Sequence, residues 1–370
     1  MKRLEVSKED FKYNISVLKS KINESKRDDN GNEVEVIAVV KANGGGLDLV
    51  QYSKFLLNNG IKILAVANVF ELVTLRKEKI ESEIIMLTPT ADEKEIEILI
   101  ENNATLTIGS LEELENIEKI LEKKNLEINA HIKIDTGLGR YGFLYDNTDI
   151  IDCFENAKRV HITGMYTHFS KPMDEKWTRT QFNRFLDSIA GVKASGYNPG
   201  LLHACETTAF LRYPDMYLNA VRLGSFFQGR VMINNLALRK IGIFKANIQE
   251  IKTVPRGYTI SYSNSYKLKR ETRLATIPVG YMDGFSRKKT RDTFSIIDNI
   301  IATLMELKRI FKDNYYKIKI NGKEYRVIGR IGMYHCEIDV TDTDVKLGDE
   351  VIIESISPLE TSESIKREYI

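Results

Sequence analysis

Eight short apolar runs, separated by segments of helical periodicity, constrain the fold of this chain more than any other feature of its sequence. The runs cover 35–42, 62–68, 83–88, 104–109, 129–135, 161–168, 200–204 and 219–223. Runs that are apolar throughout are typical of parallel strands buried on both faces. Helical segments are predicted between them at 47–59, 111–124 and 177–194. Eight strands alternating with helices over about 200 residues predict a (β/α)8 TIM-like barrel, because a doubly wound open sheet usually carries fewer repeats.

After residue 235 the pattern changes to the alternation that is typical of antiparallel strands. Strand candidates are 245–252, 272–278, 316–320, 325–329, 335–340 and 350–354, and Asn321-Gly322-Lys323 predicts a hairpin turn. One apolar helix interrupts them around 295–313; it looks like an insertion and is expected to pack within this small domain or at a subunit contact. We therefore predict an α/β chain with a barrel domain at 1–235 and a mainly antiparallel β C-terminal domain at 236–370.

Composition excludes several classes of function. The 54 basic and 52 acidic residues nearly balance, which indicates no nucleic-acid partner. No apolar stretch is long enough to span a membrane, and no signal-peptide pattern follows Met1. The three isolated cysteines and five histidines lack the spacing of disulfide frameworks or metal sites. We expect a protein of the reducing cytoplasm with no metal ion.

Lys41 ends the first apolar run and is followed by Ala42, Asn43 and three glycines, Gly44–Gly46. Burial lowers the pKa of an ammonium group, and a neutral amine is a nucleophile. Glycines allow backbone to approach a ligand closely. A lysine in this position could hold an aldehyde cofactor as a Schiff base. From this stretch alone, however, an ordinary surface lysine at a strand end is the favoured interpretation.

Polar clusters at four further strand ends change that balance. They are Lys133 to Arg140, Tyr166 to His168, His203 to Thr208, and Arg222 to Ser225. In this fold the functional groups gather at the carboxyl ends of the strands, and the ends of strands seven and eight usually bind phosphate. A lysine that shares a barrel end with a phosphate site suggests a phosphorylated aldehyde, pyridoxal 5'-phosphate.

The chain resembles the alanine racemase family of fold-type III pyridoxal-phosphate enzymes from residue 1 to about 355. The first motifs that carry the resemblance are Val40-Lys41-Ala42-Asn43, Lys133-Ile134-Asp135-Thr136-Gly137-Leu138-Gly139-Arg140-Tyr141-Gly142 and Gly164-Met165-Tyr166-Thr167-His168-Phe169. Those that follow are Leu211-Arg212-Tyr213-Pro214, Val221-Arg222-Leu223-Gly224, 275–284, Gly329-Arg330-Ile331-Gly332-Met333 and Asp339-Val340-Thr341-Asp342. Together and in this order, they are far more specific than any one local motif.

The resemblance implies a role for each matching residue. Lys41 is the lysine that forms the Schiff base and one of two catalytic bases. Tyr262, contributed by the partner subunit, is the second base on the opposite face of the cofactor. Arg222 faces the pyridine nitrogen, and His168 lies against the cofactor ring.

Further positions are implied around the substrate and the phosphate. Arg140 helps to place the substrate carboxylate, Met333 contributes a backbone contact, and Lys133 supports Arg140 and is carbamylated in some members. The implied phosphate contacts are Thr207, Gly224 and Ser225.

Several positions depart from the family pattern. The tyrosine expected near the phosphate is replaced by Gly45. Glu206 stands where the family often has asparagine, and an acid beside a phosphate is unfavourable unless it is paired or turned away. Tyr334 replaces an acidic residue. After 348–351 only a short polar tail is expected, so a second active-site tyrosine is not assigned; Tyr369 is a weak candidate.

The expected function is pyridoxal-phosphate-dependent racemisation of a free amino acid by two bases, L-alanine to D-alanine, in a homodimer with shared active sites. Racemisation of serine, or of a larger or basic amino acid, stays open, as does a non-catalytic pyridoxal-phosphate-binding protein. A diamino-acid decarboxylase is less favoured because no Cys-Glu-Ser-Gly-like motif is present.

Overall fold

The computed structural model describes residues 1–24, 33–231, 233, 238–287, 295–311 and 316–370. The chain divides into two compact units, a first of Lys8–Ile241 and a second that joins Met1–Ser7 to Gly242–Ile370. The predicted boundary between residues 235 and 236 lies outside the described residues. The first seven residues, expected in the barrel domain, group with the second unit.

Strands and helices follow one another along the chain. In chain order the strands are β1 Arg3–Val6, β2 Glu35–Val39, β3 Ile63–Val66, β4 Glu83–Met86, β5 Leu106–Ile108, β6 Ile128–Asp135, β7 Phe143–Leu144, β8 Val160–Tyr166, β9 Leu201–His203, β10 Ala220–Leu223, β11 Gly242–Asn247, β12 Glu250–Val254, β13 Thr259–Ile260, β14 Tyr266–Lys267, β15 Thr272–Ile277, β16 Lys317–Ile320, β17 Lys323–Ile328, β18 Cys336–Asp339, β19 Glu350–Ile353 and β20 Lys366–Tyr369. The helices are α1 Lys8–Glu24, α2 Leu49–Asn58, α3 Val69–Lys77, α4 Glu93–Glu101, α5 Leu111–Lys124, α6 Asp149–Asn156, α7 Glu175–Ala194, α8 Thr207–Arg212 and α9 Ile296–Phe311. Among these residues, no helix combines the length and the hydrophobicity that a bilayer span requires.

The first unit is a nearly closed barrel of eight parallel strands, which confirms the prediction from the apolar runs. Its hydrogen-bonded order is β4-β3-β2-β10-β9-β8-β6-β5. A single parallel bridge between Ile85 and Thr105 connects β4 to the start of β5. The helix predicted at 111–124 is α5, and its polar residues cover the solvent side while Leu114, Ile117 and Leu121 are buried.

Strand register explains why polar groups meet at one end of the barrel. Tyr166 of β8 is in register with Lys133 of β6 on one side and with His203 of β9 on the other. Arg222 of β10 is paired with Ile37, two residues before the end of β2. Because neighbouring strands are parallel, their carboxyl ends and the side chains there share one edge.

The second unit contains a nine-stranded sheet in the order β12-β15-β18-β17-β16-β19-β11-β1-β20. Described neighbours in it are antiparallel except β1 and β20, which confirms a mainly antiparallel domain. Asn321 and Gly322 form the predicted hairpin turn, with positive φ values of 48° and 77°. The single strand predicted at 245–252 is wrong, because Ile248 still bonds toward Asp349 whereas Gln249 bonds to Thr276 on a different strand.

Both ends of the chain form strands that the sequence analysis missed. β1 pairs with β11 and with β20, so the expected polar tail contains a strand, and Tyr369 lies in it opposite Val6. Charged residues alternate with apolar ones in β1, and three charged residues follow one another in β20, so neither strand shows an apolar run. The charged residues pair across the sheet, where Lys245 Nζ lies 2.8 Å from Glu5 and 3.0 Å from Glu350.

The inserted helix α9 does not pack within the small domain as one expectation had it. Six residues of its apolar face are 48–76% exposed: Ile296, Ile297, Ile300, Ile301, Leu304 and Leu307. The other expectation, a subunit contact, stays a prediction. Positions 312 and 313 of the predicted helix lie outside the described residues.

Candidate active site

Lys41 does not end a strand, as predicted, but opens a left-handed turn at Lys41–Gly45. Ala42 and Asn43 have φ values of 57° and 55°, and Gly44, Gly45 and Gly46 are also positive. The left-handed helical conformation costs roughly 1–2 kcal/mol for each residue that carries a β-carbon. Two side chains offset that cost, because Glu71 accepts from the Ala42 amide at 2.6 Å and Asn43 accepts from the Leu49 amide at 2.8 Å. The turn therefore presents an exposed Lys41 on a backbone that is held at both ends.

The Gln228 side chain lies directly against Gly45. A β-carbon at residue 45 would lie 1.9 Å from Gln228 Nε2, which donates to the Gly45 carbonyl at 3.3 Å. Gln228 is buried and takes up the space in which a side chain at residue 45 would begin. The sequence analysis missed this residue, because Gln228 is far from Gly45 in the chain.

Arg222 is buried, with 4% of its surface exposed, and its described hydrogen bonds go to neutral groups. One nitrogen, NH1, lies 2.7 Å from His203 Nδ1 and 2.9 Å from the His203 carbonyl. The other, NH2, donates to the carbonyls of Thr167 at 2.6 Å and Ala204 at 3.0 Å, and lies 3.3 Å from His168 Nδ1. Because arginine does not give up its proton in proteins, a positive charge is buried here without a carboxylate among those acceptors.

This arginine sets the protonation of three histidines. Arg222 donates to Nδ1 of both His168 and His203, so the neutral rings carry their protons on Nε2. His203 Nε2 lies 2.9 Å from His131 Nδ1 and donates to it. Burial, and then the charge of Arg222, lowers the pKa of His131 to about 4 and holds those of His168 and His203 well below their usual range. The three rings are neutral at pH 7.

His131 and His203 received no role from the sequence alone, although the residues around His131 form a pattern that indicates a polar interior. His131, Lys133 and Asp135 occupy alternate positions of β6, which is otherwise apolar in that part of the strand. Alternate residues of a strand lie on one face. Polar residues at every second position of a buried strand therefore indicate a shared polar interior, and that is where His131 and Lys133 lie.

Tyr166 connects the two buried cations. Lys133 Nζ lies 5.0 Å from the centre of its ring, and the Arg222 guanidinium carbon lies 5.1 Å from the same centre. The His203 ring stacks on Tyr166 at 4.9 Å. Burial, followed by the charge of Arg222 and against the opposing charge of Asp135, lowers the pKa of Lys133 to about 7. About half of the Lys133 amine is therefore neutral near pH 7.

A loop wrapped around Asp135 presents Arg140. Gly137, Leu138, Gly139 and Arg140 all donate their amides to this one carboxylate, at 2.8–3.1 Å. Burial alone would raise the pKa of Asp135, but the backbone donors outweigh it and lower the pKa. Residues 137–142 also read GxGxxG. In a dinucleotide site that motif opens a helix, whereas here the loop folds back on Asp135 and the next helix begins at Asp149.

Three predicted phosphate contacts lie where β9 and β10 end. Thr207 is buried at the start of α8, and the Gly224 amide lies 3.4 Å from its hydroxyl; Ser225 follows and is exposed. Glu206 does not oppose these groups. Its carboxylate accepts from the amides of Thr208 at 2.7 Å and Ala209 at 2.9 Å, so it caps the helix.

Tyr262 belongs to the second unit and lies in a short 3₁₀ turn, Tyr262–Asn264, with 72% of its surface exposed. The preceding residue, Ser261, has a positive φ of 65° and donates to the Arg330 carbonyl at 2.5 Å. The Tyr262 turn is therefore attached to the segment that carries Met333, whose carbonyl accepts from the Met282 amide at 3.1 Å. The segments of the second unit that carry Tyr262, Met282 and Met333 are thus joined by hydrogen bonds.

The acid stability of the first unit provides a test of the neutral histidines. Between pH 6.5 and 4 the unfolded chain binds a proton at His131 that the folded chain does not, so stability falls as pH drops through 6.5. For this residue alone the loss reaches on the order of 3 kcal/mol. Urea unfolding at pH 7.5 and pH 5 measures about 2 kcal/mol of this loss, because only part of the interval down to pH 4 is covered. His131→Asn is expected to reduce the pH dependence relative to the wild-type protein. A pH dependence in His131→Asn equal to that of the wild type would contradict the assignment.

Known proteins match this chain over nearly its whole length. The family model described as alanine racemase, N-terminal domain, matches residues 6–230, and the model described as alanine racemase, C-terminal domain, matches residues 242–367. An alanine racemase of Methanococcus maripaludis is 32% identical over 349 residues, which cover 92% of this chain and 87% of the relative. One of Clostridium tetani is 33% identical over 329 residues, covering 86% of this chain and 79% of the relative.

A solved structure agrees with these sequence matches. The alanine racemase of Clostridium difficile 630 superposes with a TM-score of 0.85 at 25% identity, covering 100% of this chain and 95% of that one. Both domain models match in the order expected of one protein, and the relatives are matched over most of their own length. The chain therefore belongs to the alanine racemase family.

Proposed function

We propose that this protein is a pyridoxal-phosphate-dependent amino-acid racemase, an isomerase that interconverts L-alanine and D-alanine. The observation that carries the proposal is the buried Arg222 with its neutral histidine partners, at the barrel end where the Lys41 turn begins. The two family models and the relatives named alanine racemase support it.

The residues at this end of the barrel fit an anionic aldehyde cofactor. Lys41 offers an exposed primary amine that can condense with an aldehyde. After burial, the positive charges of Arg222, Arg140 and Lys41 and the charged form of Lys133 each lower the pKa of His168, so a positive field acts at this ring. Such a field favours an anionic ligand. Within the described residues, no group of three or more His, Cys, Asp or Glu side chains is arranged to hold a metal ion instead.

The phosphate group would be held where β9 and β10 end. The Thr207 hydroxyl and the Gly224 amide already lie 3.4 Å apart, and both are of the donor type that binds phosphate. Ser225 is exposed beside them. Glu206 is occupied by the amides of α8, which removes the objection that an acid at this position would repel the phosphate.

When bound, pyridoxal phosphate acidifies the α-hydrogen of the amino acid that is attached to it. Lys41 would hold the cofactor covalently between turnovers and move the proton on one face of the substrate. The partner subunit's Tyr262 would move the proton on the other face. Arg222 would hold the pyridine nitrogen by donating a hydrogen bond without transferring its proton. His168, whose Nδ1 lies 3.3 Å from Arg222 NH2, is neutral and would lie against the cofactor ring.

Arg140 and Met333 are assigned to the substrate. Arg140 follows a loop that four hydrogen-bonded amides fix to Asp135, so its starting point is well defined. A guanidinium group suits a carboxylate because it donates two parallel hydrogen bonds. Met333 lies in the segment that is attached to the Tyr262 turn and contributes a backbone contact.

Lys133 is expected to form a carbamate. Its buried amine, with a pKa of about 7, attacks carbon dioxide and loses a proton, which leaves an anion close to Arg222 and Arg140. Carbamylation would replace the repulsion among Lys133, Arg222 and Arg140 with attraction between the carbamate and the two arginines. In ¹³C-bicarbonate at pH 8, NMR should show one carbamate signal that weakens as pH falls below 7 and is missing in Lys133→Ala. A spectrum identical in the two proteins would contradict this expectation.

The racemase proposal is tested by incubating the purified holoenzyme with single L-amino acids in deuterated water. We expect L-alanine to yield D-alanine that carries deuterium at the α-carbon. Chiral chromatography and mass spectrometry measure both. Faster conversion of serine, or of a larger or basic amino acid, would replace alanine as the substrate. No deuterium uptake from any amino acid, despite bound cofactor, would leave a non-catalytic binding protein.

Assembly and compartment are part of the same proposal. A catalytic Tyr262 from the partner subunit requires a homodimer with shared active sites. The three cysteines, Cys153, Cys205 and Cys336, are unpaired and buried, which supports a reducing compartment such as the cytoplasm.

A further inference from the structure

We propose that Glu71 is a positioning residue for Lys41, whose catalytic role is that of the proposed function. Its buried carboxylate fixes the left-handed turn that carries the lysine and ties it to the neighbouring barrel strand. Glu71 does not itself touch the substrate.

Both oxygens of Glu71 are used, and each holds a different segment. Oε1 accepts from the Ala42 amide at 2.6 Å, and Ala42 directly follows Lys41. Oε2 accepts from the Ala67 amide at 3.0 Å, just after the end of β3. The carboxylate is buried, with 4% of the residue exposed. Because β2 and β3 are paired, Glu71 joins the ends of two adjacent strands next to the Lys41 backbone.

Ordinary helix capping does not explain this geometry. Asn68 caps α3 by accepting from the Glu71 amide at 2.9 Å, so Asn68 and Glu71 have the spacing of a capping box. In a capping box the glutamate returns to the amide of the cap residue. Here Oε2 reaches one residue further back, to Ala67, and Oε1 leaves the helix to reach Ala42.

The Lys41–Gly45 turn depends on side-chain hydrogen bonds such as that of Glu71, because its backbone conformation is unfavourable for Ala42. Ala42 and Asn43 are left-handed although both carry a β-carbon, a conformation that isolated chains avoid. The Asn43 side chain holds the far end of the turn through the Leu49 amide. Glu71 holds the near end, at the peptide that follows Lys41. Losing Glu71 should leave Ala42 free to return to negative φ, which redirects the Lys41 side chain.

Glu113 provides a matched control on the same barrel. Ser110 caps α5 by accepting from the Glu113 amide at 3.2 Å, and Glu113 Oε2 accepts from the Gly109 amide at 2.6 Å. The local arrangement is that of Asn68, Ala67 and Glu71, although Glu113 is only partly buried. Its described hydrogen bonds hold only the start of its own helix. Glu113→Gln therefore makes the same chemical change at the start of a barrel helix without touching the Lys41 turn.

The experiment compares Glu71→Gln, Glu71→Asp and Glu113→Gln with the wild-type full-length chain. Hydrogen exchange of peptides covering 40–48 is measured by mass spectrometry without added cofactor. We expect the Ala42 amide to exchange at least about tenfold faster in Glu71→Gln, because a neutral amide oxygen accepts a weaker hydrogen bond than a carboxylate does, and only one such oxygen is left for the amides of Ala42 and Ala67. The relative rate of competitive labelling of the Lys41 amine, measured at a single pH, should also change in Glu71→Gln, because the side chain is redirected. Neither readout should move in Glu113→Gln.

With cofactor and alanine, kcat of Glu71→Gln should fall about 10- to 100-fold with little change in KM, as expected of a misplaced catalytic group. Glu71→Asp, which keeps the charge but is one methylene shorter, should be intermediate and covers the case that Glu71→Gln does not fold. Exchange and labelling at Lys41 equal to those of Glu113→Gln would overturn the proposal. Because these two readouts need no cofactor or turnover, failure of the racemase proposal would show separately, as a wild-type protein without deuterium uptake.

Discussion

Replacing Lys41 with alanine is expected to abolish racemisation, lowering kcat about ten-thousand-fold or more. General acid–base catalysis alone contributes roughly 10²–10⁴-fold, and this variant also loses the covalent attachment of the cofactor. The chiral assay in deuterated water measures the rate. The absorbance band of the lysine-bound cofactor should disappear at the same time.

Two controls separate chemistry from folding in that variant. Lys54→Ala removes an exposed lysine that pairs with Glu78 on the surface, and it should keep full activity. Added methylamine should restore part of the activity of Lys41→Ala, because a small amine can take the place of the missing side chain. A Lys41→Ala protein that kept the absorbance band would show that another residue binds the cofactor.

The second large effect is expected for Tyr262→Phe, which keeps the ring and removes only the hydroxyl. Racemisation should fall about 10²–10⁴-fold in both directions equally, because the equilibrium between enantiomers is fixed by symmetry. One enantiomer should still exchange its α-hydrogen with deuterium through Lys41, whereas the other should not. Exchange of each pure enantiomer, followed by NMR, distinguishes this result from general loss of activity.

Tyr258→Phe is the matched control, since Tyr258 is an exposed tyrosine of the same unit. Full racemisation by Tyr262→Phe would show that another group is the second base. The subunit that supplies the tyrosine can also be tested, by mixing inactive Lys41→Ala and Tyr262→Phe proteins under conditions that exchange subunits. A shared site gives each mixed dimer one intact site, so roughly a quarter of the wild-type activity should return. A tyrosine acting within its own subunit would restore none.

Much of the fold followed from the periodicity of the sequence, and the errors have a common cause. The barrel strands are buried on both faces, so their apolar runs appear directly in the sequence. β1 and β20 were missed because both are rich in charged residues and form ion pairs with strands distant in the chain. The strand predicted at 245–252 is divided because its two halves pair with different partners, Asp349 and Thr276.

At the candidate site, the residue types were predictable and their connections were not. Lys41, Arg222 and His168 follow from motifs at strand ends. His131 and His203 extend the hydrogen-bonded chain from Arg222. This arrangement depends on the register of β6, β8 and β9, which no local sequence pattern contains. Glu206 does not point a free carboxylate at the predicted phosphate contacts, because it accepts from two amides at the start of α8. This too depends on the folded structure.

The sequence by itself determined that eight buried strands precede an antiparallel domain, and that polar groups stand where those strands end. These properties are local. The side chains of an apolar run decide that its strand is buried, and the polar residues that follow the run show where the strand leaves the core. Only the tertiary structure decided how Lys41 is presented. The left-handed turn after Val40 opposes the preference of Ala42, and it persists because Glu71 reaches it from α3. A conformation that local preference disfavours can be stabilised only by contacts from elsewhere in the fold.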